Sequence, residues 1–275
     1  MSDRRITPAN GRVAHIGLRG AVTAARYVEG ARASVAAPLA DLLAAPGGAR
    51  DRQLLMGDGV LILERSGGFA FLQSDKDGYC GYVSEAALGN AVGATHWVCA
   101  PASHLYPAAD MKCHEIAALS FGARIAVAAE DERFFEAVGR QFVPRAHLAP
   151  IGQWMQDPAT VAEMFLGVPY LWGGNAHSGI DCSGLVQAAL LACGIACPGD
   201  SDMQQGLGVA VPDRSELRRG DLIFWKGHVA MALDSDRIIH ANAFRMAVSI
   251  ERTDAAIARI AAQGDGPPTG LRRVL

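Results

Sequence analysis

The stretch that decides the fold reads Tyr170-Leu-Trp-Gly-Gly-Asn-Ala-His-Ser-Gly-Ile-Asp-Cys-Ser-Gly-Leu185. A glycine-rich turn here delivers one cysteine, Cys182, to the start of a helix. The run Gly184-Leu-Val-Gln-Ala-Ala-Leu-Leu-Ala-Cys193 is built of good helix formers, and Gly194 supplies a stop just past it. A cysteine in a first helical turn faces unpaired backbone N–H groups and the positive end of the helix dipole. Both favour thiolate over thiol, so the pKa is expected to drop from ~8.5 to somewhere around 3.5 to 7.5. Cys182 is therefore the candidate nucleophile; the competing reading makes it a small buried apolar residue.

A nucleophilic cysteine needs a base within hydrogen-bond reach and a group that orients the base. His228 opens a strand after Lys226-Gly227, where the glycine is expected to permit close backbone approach, and His240 lies in the next strand. Strand side chains alternate between faces. The two imidazoles therefore share a face only if the connection around Asp234 to Arg237 has an odd residue count or a bulge. His240 and Asn242 lie two residues apart on one face, and either can orient His228.

Composition bounds the reading. With 275 residues the chain exceeds one average domain of about 100 to 200 residues. A net charge of -3 and a pI near 6.2 argue against a nucleic-acid partner or an anionic membrane surface. No run approaches the ~20 apolar residues of a membrane span. The basic N-terminus lacks the apolar stretch of an export signal, so a cytoplasmic protein is expected. Cys80, Cys99, Cys113, Cys182, Cys193 and Cys197 show no paired metal-ligand spacing. Reduced thiols are expected, with no metal and no cofactor.

Along the chain, residues 1–50 read as an N-terminal arm plus a short, weakly helical segment over Ala21 to Ala45. Short strand signals follow at Gly59–Glu64, Phe69–Gln73 and Tyr79–Val83, and again from His96 to Pro144. Two tandem barrels, 51–92 and 93–150, account for them. A faint internal echo supports the pairing: Gly81-Tyr-Val83 precedes Leu88 as Gln141-Phe-Val143 precedes Leu148. Asp157-Pro158 then opens a helix and begins an α+β domain, 151–275, with helices first and antiparallel sheet after.

Asp181-Cys-Ser-Gly184, Arg219-Gly-Asp-Leu222, His228-Val229 and Ile239-His-Ala241 arrive in the order and spacing that resemble the NlpC/p60 peptidases, a papain-like family. The resemblance covers about residues 157 to 245. It implies a papain-like catalytic domain, here preceded by two SH3-like barrels, and a Cys-His-His triad at Cys182, His228 and His240. Tyr170-x-Trp-Gly-Gly174 also matches and implies a Tyr170 hydroxyl facing the substrate.

The two-barrel arrangement is similar to the γ-D-glutamyl-L-diamino-acid endopeptidases of that family, which act on free murein peptides. That likeness implies that Asp181, Ser183 and Ser201 bind the free L-Ala amine and the adjacent backbone. It further implies a lid from the first barrel, placed on Tyr79 and Asp58, where Asp58 stands for an expected glutamate. The expected partner is a small L-Ala-γ-D-Glu-diamino acid peptide. Alternatives are an exported hydrolase of intact wall stems, a non-catalytic murein-peptide binding module, and acyl transfer by the same thiolate.

Overall fold

Period-two alternation marks Leu39–Leu43 in the N-terminal half. The computed structural model describes residues 3–274 and divides into two compact units, Met1–Gln153 and Trp154–Leu275. The expected helix over residues 21–45 does not form. Three strands stand there, Arg26–Val28, Ala31–Val35 and Leu39–Leu43. Alanine content suggests helix by propensity alone, but Ala40 and Leu42 are buried while Asp41 between them is exposed, and Pro38 interrupts any helical run. Burial on one face overrides propensity.

The first barrel therefore begins near residue 31 and not at 51. Ala31–Val35 and Leu39–Leu43 join a seven-stranded antiparallel sheet ordered Arg50–Leu55, Leu39–Leu43, Cys80–Ser84, Phe69–Ser74, Gly59–Ser66, Ala31–Val35, Leu88–Asn90. Its core holds Val35, Leu42, Leu54, Val60, Ile62 and Leu72, each burial stabilising by ~1.5–3 kcal/mol. Val13, from a short strand paired with Arg26–Val28, packs with Leu63, Phe71 and Cys80 in a second cluster.

From His96 to Pro150 the strand signals give three smaller sheets: Arg124–Ile125 with His96–Val98 and Leu148–Pro150, Ala102–Leu105 with Ala117–Ser120, and Val127–Glu130 with Phe134–Ala137 and Gln141–Pro144. The internal echo is structural. Cys80–Ser84 and Gln141–Pro144 each lead into one 3-10 turn, Glu85–Ala87 and Arg145–His147, and then into a short strand that opens on a leucine.

The C-terminal unit is α+β. Asp157 caps the helix Pro158–Glu163, accepting from the N–H groups of Ala159 and Thr160, with Pro158 at the first helical position as expected. A six-stranded antiparallel sheet follows, ordered Val209–Ala210, Gly270–Arg273, Leu222–Trp225, His228–Ala232, Arg237–Asn242, Ala247–Arg252. All four residues of Leu222–Trp225 are buried. The Arg219-Gly-Asp-Leu222 motif braces the entry to that strand. Arg219 pairs with Asp157 and Glu163 of the first helix, and buried Asp221 takes Arg273 at 2.6 Å. Helix Thr253–Ala262, absent from the sequence expectations, packs Ala256 and Ile260 against Ile223, Trp225, Ala230 and Ile238.

Candidate active site

The cysteine helix is anchored by its own N-cap. Helix Cys182–Ala192 ends where expected, with Cys193 at the C-cap and Gly194 next at φ 73°. At its start, one Asp181 oxygen accepts from the Gly184 N–H at 2.6 Å and the Ser183 hydroxyl at 3.0 Å, and the other accepts from the Gly173 N–H at 3.0 Å. One buried carboxylate thus caps the helix and pins the glycine-rich turn to it. Asp181 makes no ion pair among the described residues.

Cys182 itself is buried, with the N–H groups of Val229, Ser183 and Cys182 near its sulfur. The expected low pKa does not hold. Burial, reinforced by the neighbouring Asp181 charge, pushes the thiol up to about 12, and the three N–H groups only partly oppose it. The sequence reading weighed the helix end and missed the desolvation.

The histidine geometry meets the condition set by alternation. Leu233 N–H donates to the Arg237 carbonyl at 2.8 Å, so the turn between them is Asp234, Ser235 and Asp236, an odd count. With Met231 opposite Ile239, the register puts His240 opposite Ala230, on the same face as His228. The rings meet: His228 Nε2 lies 2.8 Å from His240 Nδ1. Asn242 is on that face too, but it donates to the Ser249 hydroxyl and accepts from the Arg245 N–H, bonding neither imidazole. Burial, then the neighbouring His240 and Arg259, pull His228 down to about 3, so its ring is neutral near pH 7. Gly227 serves differently from the expectation. A β-carbon there meets nothing within 4 Å, and the glycine is needed for φ 73° in the Lys226-Gly227 hairpin turn.

Around this core, Tyr170 is half-buried, hydrogen-bonded through its N–H to the Met246 carbonyl. Burial, then the charges of Cys182 and Asp181, raise its phenol pKa. Ser201 opens the short helix Ser201–Gln204, and buried Gln204 ties that helix to the Ser183 carbonyl at 3.0 Å. A cleft of 460 Å³ runs past His228, lined by Tyr170, Asn242, Phe244 and Arg259 among others. Tyr79 and Asp58 belong to the N-terminal unit and are engaged there. Tyr79 is 2% exposed in the barrel core beneath Arg52, and Asp58 pairs with Lys76 at 2.9 Å and accepts from the Leu55 N–H. Sequence reasoning missed Gln204, Glu251 and Arg259. Glu251 carried a signal in the alternation Ser249-Ile-Glu251, whose polar side shares the His240 face.

Residues 167–261 match the family model described as NlpC/P60 family, and residues 42–88 match that of the bacterial dipeptidyl-peptidase Sh3 domain. Residues 167–261 carry the NlpC/P60 peptidase region, preceded by an SH3-like domain. Among relatives, the gamma-D-glutamyl-L-lysine dipeptidyl-peptidase of Bacillus subtilis is 28% identical over 69% of this chain and 71% of its own. The protein of the same description from Bacillus cereus is 40% identical, over 34% of this chain and 30% of its own. The crystal structure of an NlpC/P60 family protein from Bacillus cereus superposes with a TM-score of 0.75 at 23% identity, covering 89% of this chain and all of that one, which shows a shared fold. Both the papain-like catalytic region and one SH3-like element are thereby accounted for. All six cysteines are free, no three His, Cys, Asp or Glu side chains among the described residues group to hold a metal, and no described helix is long and apolar enough to cross a membrane.

Proposed function

We propose that the protein is a cysteine peptidase that hydrolyses the γ-D-glutamyl–diamino acid bond of free murein peptides bearing an unblocked N-terminal L-Ala. The observation that carries this reading is Cys182 at a helix start, His228 on a strand that packs against that helix and His240 hydrogen-bonded behind His228. The names of the two Bacillus relatives support the choice of bond.

In this mechanism His228 Nδ1, the ring nitrogen not engaged by His240, takes the Cys182 proton as the sulfur attacks the γ-carbonyl of D-Glu. The Cys182 N–H, at the helix start, donates to the developing oxyanion. His228 then returns the proton to the leaving amine of the diamino acid, and water hydrolyses the thioester by the reverse route. Because the thiol pKa lies high and the imidazole pKa low, proton transfer accompanies attack and no ion pair stands beforehand.

The free-amine requirement falls on Asp181. A carboxylate offers about four acceptor positions, and three are filled by neutral donors, so an ammonium completes the set and supplies the missing counter-charge. Ser183 and Ser201 flank it as backbone-binding hydroxyls, and the Tyr170 hydroxyl faces the bound peptide. Asp58 is already neutralised by Lys76 and does not provide the ammonium's charge. Residues 93–150 are read as a second SH3-like barrel, supported by the repeated strand, 3-10 turn and leucine strand. Peptides with a free L-Ala arise inside the cell, so a cytoplasmic recycling role belongs to this reading.

The test is cleavage of L-Ala-γ-D-Glu-diaminopimelate, its L-Lys counterpart and the N-acetylated form of each, followed by mass spectrometry. Release of the diamino acid from the free peptides and not from the acetylated ones is expected. Equal cleavage of both forms would contradict the amine requirement, and no cleavage of any would contradict the peptidase assignment.

A further inference from the structure

Behind His240 the polar chain continues through two residues that the proposed mechanism does not use. Glu251 lies on the outermost strand, Ala247–Arg252, opposite Ile238 and two residues beyond Ser249, the partner of His240; its side chain therefore shares the His240 face. The His240 side chain is fully buried, and its Nε2 has one charged neighbour, Glu251 Oε1 at 3.4 Å, without a well-aligned hydrogen bond to any group. Arg259, from helix Thr253–Ala262, donates through Nη2 to both Glu251 oxygens at 3.0 Å. The arginine is itself fixed, donating to the Gln263 side chain at 3.1 Å and lying 4.5 Å over the Phe244 ring.

We propose that Glu251 is a positioning residue that sets the tautomers of both imidazoles and so leaves Nδ1 of His228 unprotonated. This rests on the reading of Cys182 and His228 as nucleophile and base. An ionised carboxylate only accepts, so the ring nitrogen facing it, His240 Nε2, carries the hydrogen. A neutral ring has one N–H, which makes His240 Nδ1 an acceptor. The hydrogen in the 2.8 Å contact therefore belongs to His228 Nε2, and the lone pair remains at His228 Nδ1. One fixed charge dictates the proton positions across two rings. The contacts with His240 and then Arg259 hold the Glu251 carboxyl down at about 2, so it stays ionised through the working range.

A Glu251–Arg259 pair that merely ties the last helix to the sheet would not constrain these protons, and this separates the two roles. The full-length protein is prepared with isotope-labelled histidine, and the imidazole nitrogens are read by long-range proton–nitrogen NMR correlation, in the native chain and in Glu251→Gln. In the native chain Nε2 of both His228 and His240 is expected to carry hydrogen. In Glu251→Gln, Arg259 retains the amide oxygen and the amide N–H₂ faces His240, so both rings are expected to switch to Nδ1–H. The turnover number should then drop by roughly 10²- to 10⁴-fold with KM within about twofold, as a wrong-tautomer base does in a serine triad.

Nδ1–H on His240 in the native chain overturns the proposal even if the variant does not fold. Unchanged tautomers in the variant, or switched tautomers with unchanged turnover, overturn it as well. The spectra need no substrate, so a native chain that shows the expected tautomers but cleaves no murein peptide contradicts the proposed function and leaves the proton assignment standing.

Discussion

Gly184 backs onto Gly174 so closely that a β-carbon on Gly184 would sit 2.5 Å from the Gly174 carbonyl oxygen. This contact seats the first turn of the cysteine helix against the glycine-rich loop, which the Asp181 N–H and carboxylate also hold. Gly184→Ala must push backbone from backbone, since no flexible side chain is there to yield. The expected outcome is a loss of about 1–3 kcal/mol by chemical denaturation together with loss of activity. A variant as stable and active as the native protein would show that the loop gives way freely.

Asp181→Asn tests the ammonium site. Asparagine keeps an oxygen for the Gly184 N–H, so the helix cap is largely preserved. The charge for the peptide amine is lost, at a cost on the order of 3–5 kcal/mol for a broken buried pair. Activity on the free peptide should fall by at least about a hundredfold in kcat/KM, and the ratio of free to N-acetylated cleavage should shrink toward unity. A variant that keeps the native ratio would place the amine elsewhere.

Much of the site was legible before any coordinates. Cys182, His228 and His240 announced themselves through a glycine-rich turn ahead of a helix and two strand histidines, and the odd-residue condition on their turn was a geometric statement that the register meets. Three things were not legible. The thiol's burial depends on residues brought in from the neighbouring strand, so the helix end suggested an acidic thiol where desolvation produces the opposite. The alanine-rich segment from Ala21 to Ala45 was misjudged for a related reason. Alanine favours helix in isolation, and only the neighbouring strands show that Ala40 and Leu42 point into a barrel. Glu251 and Arg259 were hidden because their meeting requires the last helix to fold back over the sheet.

The thiol's state can be measured directly. With a folded pKa near 12, Cys182 should be alkylated slowly at neutral pH, and its rate should keep rising well above pH 9. An inflection between about 3.5 and 7.5 would reveal a standing thiolate instead. The same shift has a stability consequence. A folded pKa raised above the ordinary value of 9.0 gives stability that is fully present below pH 9.0 and lost as the pH climbs toward 12. Cys80 and Cys193 are raised too, so the diagnostic is the difference in melting temperature between the native chain and Cys182→Ala across that alkaline window.

His228 shifts the opposite way. Its pKa is lowered to about 3 from 6.5, so the unfolded chain binds the extra proton first and stability falls as the pH drops from 6.5 toward 3. The acid limb of kcat/KM should therefore lie below pH 6.5. A limb centred at or above that value would mean that the base is not held neutral by its surroundings.

The most direct measurement of the central claim compares the native chain with Cys182→Ala on L-Ala-γ-D-Glu-diaminopimelate, with both proteins shown to be folded by their melting curves. Removing a nucleophile costs on the order of 10⁶ in turnover where this has been dissected in a serine peptidase, so cleavage by the variant should drop to background. Release of diaminopimelate at a native rate by Cys182→Ala would contradict the account.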